Sequence, residues 1–152
     1  MHSRELYLLD TNILILLIRG GEKAQRISET YGLKEIQYIP LVSVISKAEI
    51  LAFALRNNWG QKKLQAIEIL LANSIVIDTL SNDIILSYIE LDAFLKNKKP
   101  AKTIKQNDIW IAATAKATDS ILLAADNDFN YFPVTILKHE HIDINTGKTK
   151  IN

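Results

Sequence analysis

Asp10, Glu49, Asp108 and Asp126 stand where apolar, strand-like runs end or where helices are expected to begin. Taken singly, each has an ordinary explanation. Asp10 suits a helix N-cap, Glu49 closes a capping box with Ser46, Asp108 complements a helix dipole, and Asp126 and Asp128 suit turns made by side-chain to backbone bonds. None of these explanations makes four acids coincide. In a parallel α/β sheet, by contrast, strand-to-helix transitions share one edge, where segments distant in sequence meet and ligands bind. Two carboxylates about 4 Å apart repel by roughly 4 kcal/mol at an effective dielectric near 20. A cluster of four therefore needs either protonation or a neutralising cation. Mg²⁺ or Mn²⁺ suits an all-oxygen set and keeps several waters, one of which, deprotonated, can attack a phosphodiester.

The elements that would deliver these acids alternate along the whole chain. Leu6 to Asp10 reads as a short buried strand feeding an apolar helix over Ile13 to Ile18, closed by Gly20-Gly21. That helix is apolar all round, so either its own neighbours or a second chain must cover its outer side. A polar amphipathic helix follows over Glu22 to Tyr31, ended by Gly32, then a strand over Tyr38 to Val44 and a helix opened by Ser46 and running to about Asn57. Gly60 to Asn73 reads as a helix, Ile75 to Ile77 as a strand and Ser81 to Asn97 as a long helix. Lys98 to Gln106 is a lysine-bearing loop broken by Pro100, and Asn107 is expected to cap a helix over Asp108 to Thr118. Strands at Ile121 to Ala124 and Val134 to Leu137 close the core. The expected organisation is one domain over residues 1–138, then a 139–152 tail with a small hairpin around Asn145 to Gly147. Strands separated by helices predict right-handed crossovers and a mostly parallel sheet covered on both faces, an α/β/α sandwich.

Composition narrows the class without naming a partner. The chain of 152 residues is 48% hydrophobic and 23% charged, as in a soluble globular domain. Its 18 Lys and Arg against 17 Asp and Glu exclude bulk electrostatic attraction to nucleic acid, so any such attraction is local. The absence of cysteine excludes disulfides and thiolate metal sites and agrees with a reducing cytosol. Asp10 interrupts the first apolar run, and Ile13 to Ile18 is far shorter than the roughly 20 residues a bilayer demands. No membrane association and a cytoplasmic location are expected.

The motifs that hold the acids resemble those of the PIN domain, a family of metal-dependent ribonucleases that includes VapC-type toxins of bacterial toxin-antitoxin pairs. Leu-Leu-Asp10-Thr11-Asn12 is similar to the family's first motif, and Ser43-Val44-Ile45-Ser46-Lys47-Ala48-Glu49-Ile50 to its second. Asn107-Asp108-Ile109-Trp110-Ile111-Ala112-Ala113-Thr114-Ala115 is similar to the third, and Leu-Leu-Ala-Ala-Asp126-Asn127-Asp128-Phe129 to the fourth. The last two are the most specific. The resemblance implies a three-layer sandwich, with Asp10, Glu49, Asp108 and Asp126 as catalytic ligands of one or two Mg²⁺ or Mn²⁺ ions. Asp128 is a fifth candidate ligand, and Thr11 with Asn12 would orient Asp10. The implied activity is hydrolysis of RNA phosphodiester bonds. The implied partners are an RNA substrate, a second copy of the chain and a cognate antitoxin. The fourth motif often has Thr or Ser where this chain has Ala124, which would remove a polar contact from the site.

Several further features flank the acids. Lys98, Lys99, Lys102 and Lys105, with Lys96, could hold RNA phosphates or could be a solvated loop. His139 and His141 alternate as on a strand and could share a metal. Trp59 and Trp110 could stack on bases or face a partner. Two rivals remain. A phospho-acceptor receiver-like domain would cast Asp10, Asp78 and Lys138 in its roles, and a catalytically silent PIN-like module would bind without cleaving.

Overall fold

The computed structural model describes residues 4–151, so Asn152 of the expected tail lies outside the described residues. Six strands form one sheet: β1 (Tyr7–Leu9), β2 (Leu41–Ser43), β3 (Ile75–Ile77), β4 (Ile121–Ala124), β5 (His139–Ile142) and β6 (Thr149–Lys150). Their spatial order is β3-β2-β1-β4-β5-β6. The first five are parallel, and β6 returns antiparallel to β5. The direction of winding reverses between β1 and β4, so a crevice is expected beyond their carboxyl ends.

Successive strand residues point to opposite faces, and here both faces are buried. Leu8 and Leu122, directly paired across the sheet, join a core with Leu91, Leu95 and Ile111. That layer is built by α5 (Asn82–Asn97) and α6 (Gln106–Ala117). Their neighbours Leu9, Val42 and Leu123 pack on the other side with Ile13, Leu14, Ile27, Ile50 and Ile67. This second layer consists of α1 (Thr11–Arg19), α2 (Gly21–Tyr31), α3 (Val44–Arg56) and α4 (Gln61–Ala72). The result is the expected α/β/α sandwich. The chain's own neighbours bury Ile13, Leu14, Ile15 and Leu16 of the apolar α1, while Leu17 and Ile18 are only partly buried. Gly32 ends α2 in the left-handed region (φ 63°), where its N–H bonds the Ser28 carbonyl.

Local corrections concern caps and one strand. Ser43, not Ser46, caps α3, its hydroxyl accepting from the Ile45 N–H at 3.2 Å, and the expected capping box does not form. Helix α6 begins two residues early, at Gln106, with Lys105 at the cap position instead of Asn107. Asp10 occupies the N-cap position of α1 but makes no side-chain cap bond, which leaves its carboxylate for other uses. Val134 to Leu137 is not a strand: Pro133 starts a turn whose carbonyl accepts from the N–H groups of Ile136 and Leu137, and Val134 is 67% exposed. The fifth strand is His139–Ile142, and it forms the expected hairpin with β6 through Asp143 to Gly147.

Candidate active site

The end of β1 and the end of β4 are adjacent, since the Asp10 N–H bonds the Leu123 carbonyl at 3.0 Å. Asp10 follows β1 directly and Asp126 follows β4 by one residue, so the sheet itself brings them to one edge. Glu49 arrives from the second turn of α3 and Asp108 from the first turn of α6. Together with Thr11, Asn12, Ile15, Phe53, Arg56 and Lys105, these four acids line a cleft of about 260 Å³. Asp128 approaches from a turn of 3-10 helix over Asn127–Tyr131, and oxygens of Asp108, Asp126 and Asp128 all lie within 4.8 Å of one another.

This crowding changes how the acids hold protons. Burial pushes the Asp10 carboxyl up to about 7; the Thr11 backbone N–H opposes this, and the charges of Asp108, Glu49 and Asp126 reinforce it. Burial, then Asp126 and Glu49, push Asp108 up to about 6 against the attraction of Lys105. Asp128 is raised by burial and by Asp126. Asp108 Oδ2 is buried without any hydrogen-bond partner. A buried polar atom left so costs about 1–3 kcal/mol, more when charged, unless a partner arrives. An all-oxygen donor set, mutual repulsion and one orphaned oxygen fit a hard divalent cation held by Asp108, Asp126 and Asp128, with Asp10 beside them.

Other side chains fix this arrangement, not always as expected. The Thr11 hydroxyl donates to Glu49 Oε1 at 2.8 Å and lies 3.1 Å from Ser46 Oγ, so it orients Glu49 and not Asp10. The Asn107 amide donates to Glu49 Oε2 at 3.3 Å, a role hidden behind its expected function as a cap. Asn12 lines the cleft. Asp126 accepts from the Asp128 N–H at 2.9 Å, so the turn explanation and the cluster explanation hold for the same residue.

The histidines of β5 support the acid-bearing segment from behind. His139 Nε2 donates to the Phe132 carbonyl at 2.8 Å, and the Asn130 amide donates to His141 Nδ1 at 3.2 Å. Burial and Lys150 lower the His141 pKa, which favours the neutral ring that this bond requires. Each ring thus has a protein partner in the segment that follows Asp128, and these bonds take one nitrogen of each, in place of the expected shared metal. Ala124, where a hydroxyl is common in the motif, is buried and paired with His141 across the sheet.

The lysine loop divides. Lys105 lines the cleft, whereas Lys98 donates to the Tyr131 carbonyl and sits over Phe94, Lys102 sits over Tyr131, and Lys96 pairs with Asp92. No partner for Lys99 is seen among the described residues. Trp110 packs on Tyr88 with ring centroids 4.2 Å apart, between α5 and α6. Arg56 and Phe53, both in the cleft wall, carry no motif of their own; the signal that could have found them is their spacing of four and seven residues after Glu49, which puts all three on one face of α3.

Known proteins share this architecture. The family model described as PIN domain matches residues 7–134. Ribonuclease VapC1 of Haemophilus influenzae (strain R2866) is 30% identical over 120 residues, which cover 78% of this chain and 84% of that protein. The solved structure of VapBC-1 from nontypeable Haemophilus influenzae matches with a TM-score of 0.72 at 27% identity, over 90% of this chain and 97% of that one. VapBC2 from Rickettsia felis, solved with a DNA fragment from their promoter, shares the fold at a TM-score of 0.72 and 24% identity, over 90% and 98% of the two chains. With a family match spanning most of its length and a relative 30% identical over 78% of it, the chain belongs to the PIN-domain family.

Proposed function

We propose that this protein is an endoribonuclease that hydrolyses RNA phosphodiester bonds, the toxin of a toxin-antitoxin pair, with Mg²⁺ or Mn²⁺ as cofactor. The observation that carries the reading is the meeting of Asp10, Glu49, Asp108 and Asp126 in one cleft, with Asp108 Oδ2 left unpartnered. Similarity to Ribonuclease VapC1 supports the activity, and the solved VapBC structures, one described with promoter DNA, support an antitoxin as protein partner.

A divalent ion held by Asp108, Asp126 and Asp128, beside Asp10, would neutralise the carboxylates, lower the pKa of a bound water and stabilise charge on the phosphate. The chain's own groups divide the remaining work. Glu49, with both oxygens oriented by Thr11 and Asn107, is placed to accept a proton from the attacking water. Lys105 brings positive charge to the cleft wall, where a phosphate must approach four acids that would otherwise repel it. Asp10, the most buried of the four, is pushed up to about 7 first by burial and then by its acidic neighbours, so a cation in the cleft would favour its charged form.

A receiver-like reading is disfavoured by position. Lys138 pairs with Asp119 at 2.7 Å, and Asp119 precedes β4, at the opposite end of the sheet from Asp10. Among the described residues no helix is long and apolar enough to cross a membrane. For the second copy of the chain, one apolar surface among the described residues is on α5, where Ile85, Leu86 and Ile89 are exposed on one face, and sedimentation of the purified protein measures whether it pairs.

The test is Asp10→Asn. The purified variant is expected to lose metal-dependent RNA cleavage, and its expression to stop arresting growth. Cleavage at the wild-type rate would remove Asp10 from the mechanism. A wild-type protein that binds Mn²⁺ and RNA yet cleaves nothing would be the silent module instead.

A further inference from the structure

The cleft has a second wall that the acids do not explain. Phe53 and Arg56 are three residues apart on α3, hence on one face of its last turn, and both line the cleft. Past the end of α3 the chain turns sharply through Asn58, in the left-handed region (φ 49°), and sets Trp59 edge-to-face against Phe53 with ring centroids 5.4 Å apart. A shallow depression of about 510 Å³ continues from there, lined by Asn57 to Lys63. Cations accompany both rings: the Arg19 guanidinium lies 5.8 Å from the Phe53 centroid, and Lys63 Nζ lies 4.9 Å from that of Trp59. Among the described residues none of Arg19, Arg56 or Lys63 has a carboxylate within ion-pair distance. In the segment before α6, Lys96 is neutralised by Asp92 at 2.7 Å, whereas Arg56 at the end of α3 has, among the described residues, neither a carboxylate nor a ring against it.

We propose that the corner between α3 and α4 seats an unpaired nucleotide of the RNA next to the cleaved bond, with Arg56 holding a phosphate and the Phe53–Trp59 pair receiving a base. The inference rests on the nuclease reading and specifies its substrate as single-stranded at that position. Unpaired guanidinium and ammonium groups interleaved with half-buried aromatic rings are the surface on which single strands bind, phosphates to cations and bases to rings. A paired helix offers neither a splayed base to the rings nor a strand narrow enough for a cleft of about 260 Å³. Lys105, from the cap of α6, and Arg56, from the end of α3, both line the cleft that holds the acids, so two cations from separate helices are available to successive phosphates of the strand.

The test uses the full-length protein and a short unstructured RNA oligonucleotide, free or annealed to its complement. Arg56→Gln changes an exposed residue and is expected to raise KM about tenfold, with a smaller change in kcat, and to lower the slope of log affinity against log salt by about 0.7. Trp59→Leu is expected to raise KM by about tenfold, within the range for losing one stacked base, with Mn²⁺ affinity kept and folding checked by Tm. Trp110→Phe leaves Trp59 as the sole tryptophan. Its emission is expected to be quenched by the single strand and not by the duplex.

Wild-type KM and salt slope in Arg56→Gln, with Trp59 emission indifferent to saturating single-stranded RNA, would overturn the proposal. So would loss of antitoxin binding in Trp59→Leu with KM for RNA intact, since the corner would then be a protein contact. Should Asp10→Asn abolish cleavage while both corner variants keep wild-type KM, this inference fails and the nuclease stands. Should Asp10→Asn cleave normally, the nuclease mechanism itself fails.

Discussion

Strand β4 has an aspartate near each end, and the two live in opposite circumstances. Asp119, before the strand, is 85% exposed at its side chain and pairs with Lys138 at 2.7 Å. Asp126, after the strand, shares its surroundings with Asp108 and Asp128 and faces no lysine across an ion pair. Both are short acids in turns, and Asp119 even adopts a left-handed φ of 54°, which aspartate tolerates better than most residues. Strand direction separates them. At the amino end of the strand a charge meets water and a counter-ion, worth about 0–1 kcal/mol. At the carboxyl end, chain segments from β1, α3, α6 and β4 converge, and carboxylates accumulate against their own repulsion. Such an arrangement lowers stability and signals function.

This contrast can be broken most sharply at Asp108. Asp108→Asn removes the orphaned oxygen's charge from the three-acid group, and we expect cleavage to fall by about 10³-fold or more and the Mn²⁺ binding heat to vanish from calorimetry. Retained binding heat would place the ion elsewhere.

Stability measures from the other side what burial and crowding cost these acids. The folded protein holds a proton on Asp10 up to about pH 7, whereas the unfolded chain releases it near 3.8. The contribution of this group to stability is therefore full below about pH 4 and is lost as pH rises towards and through 7. In chelator, Asp10→Asn is expected to be more stable than the wild type at pH 8, by an amount of order 4 kcal/mol at most, and the advantage should disappear near pH 4. A variant no more stable than wild type at pH 8 would show that neither burial nor the neighbouring acids penalise the Asp10 charge there.

A smaller effect is expected one bond further out. Asn107→Ala leaves every acid in place and frees only one oxygen of Glu49, so cleavage should drop about 10- to 100-fold with Mn²⁺ affinity less affected. Thr11→Val is expected to act in the same direction through the other oxygen. The smallest effect belongs to the far end of β4, where Lys138→Ala should cost under about 1 kcal/mol in urea unfolding and leave cleavage unchanged. A large loss of activity there would mean that the two ends of the sheet are coupled.

Motif by motif, the sequence was informative where a residue's role depends on its neighbours along the chain. The strands Tyr7–Leu9, Ile75–Ile77 and Ile121–Ala124 and the helices between them follow from apolar runs and turn residues, and the acids stand out because they interrupt those runs. It was less informative where two local readings share one pattern. Val134 to Leu137 looked like a strand because it is apolar, but Pro133 turns the chain, and the sheet takes His139–Ile142 instead. Ser43 and Ser46 both suit a cap, and only the point where β2 leaves its pairing with β3 selects Ser43.

Sequence alone determined the α/β class, the absence of thiolate chemistry and the identity of the acids, because periodicity, composition and motif spacing are properties of short segments. Only the tertiary structure decided that Thr11 and Asn107 hold Glu49, that His139 and His141 brace the segment bearing Asp128, and that Arg56 and Phe53 form the facing wall. Each of those contacts joins residues brought together by the winding of the sheet. A hydrogen bond across 58 residues of chain, such as that from Asn107 to Glu49, leaves no local trace in the residues that make it.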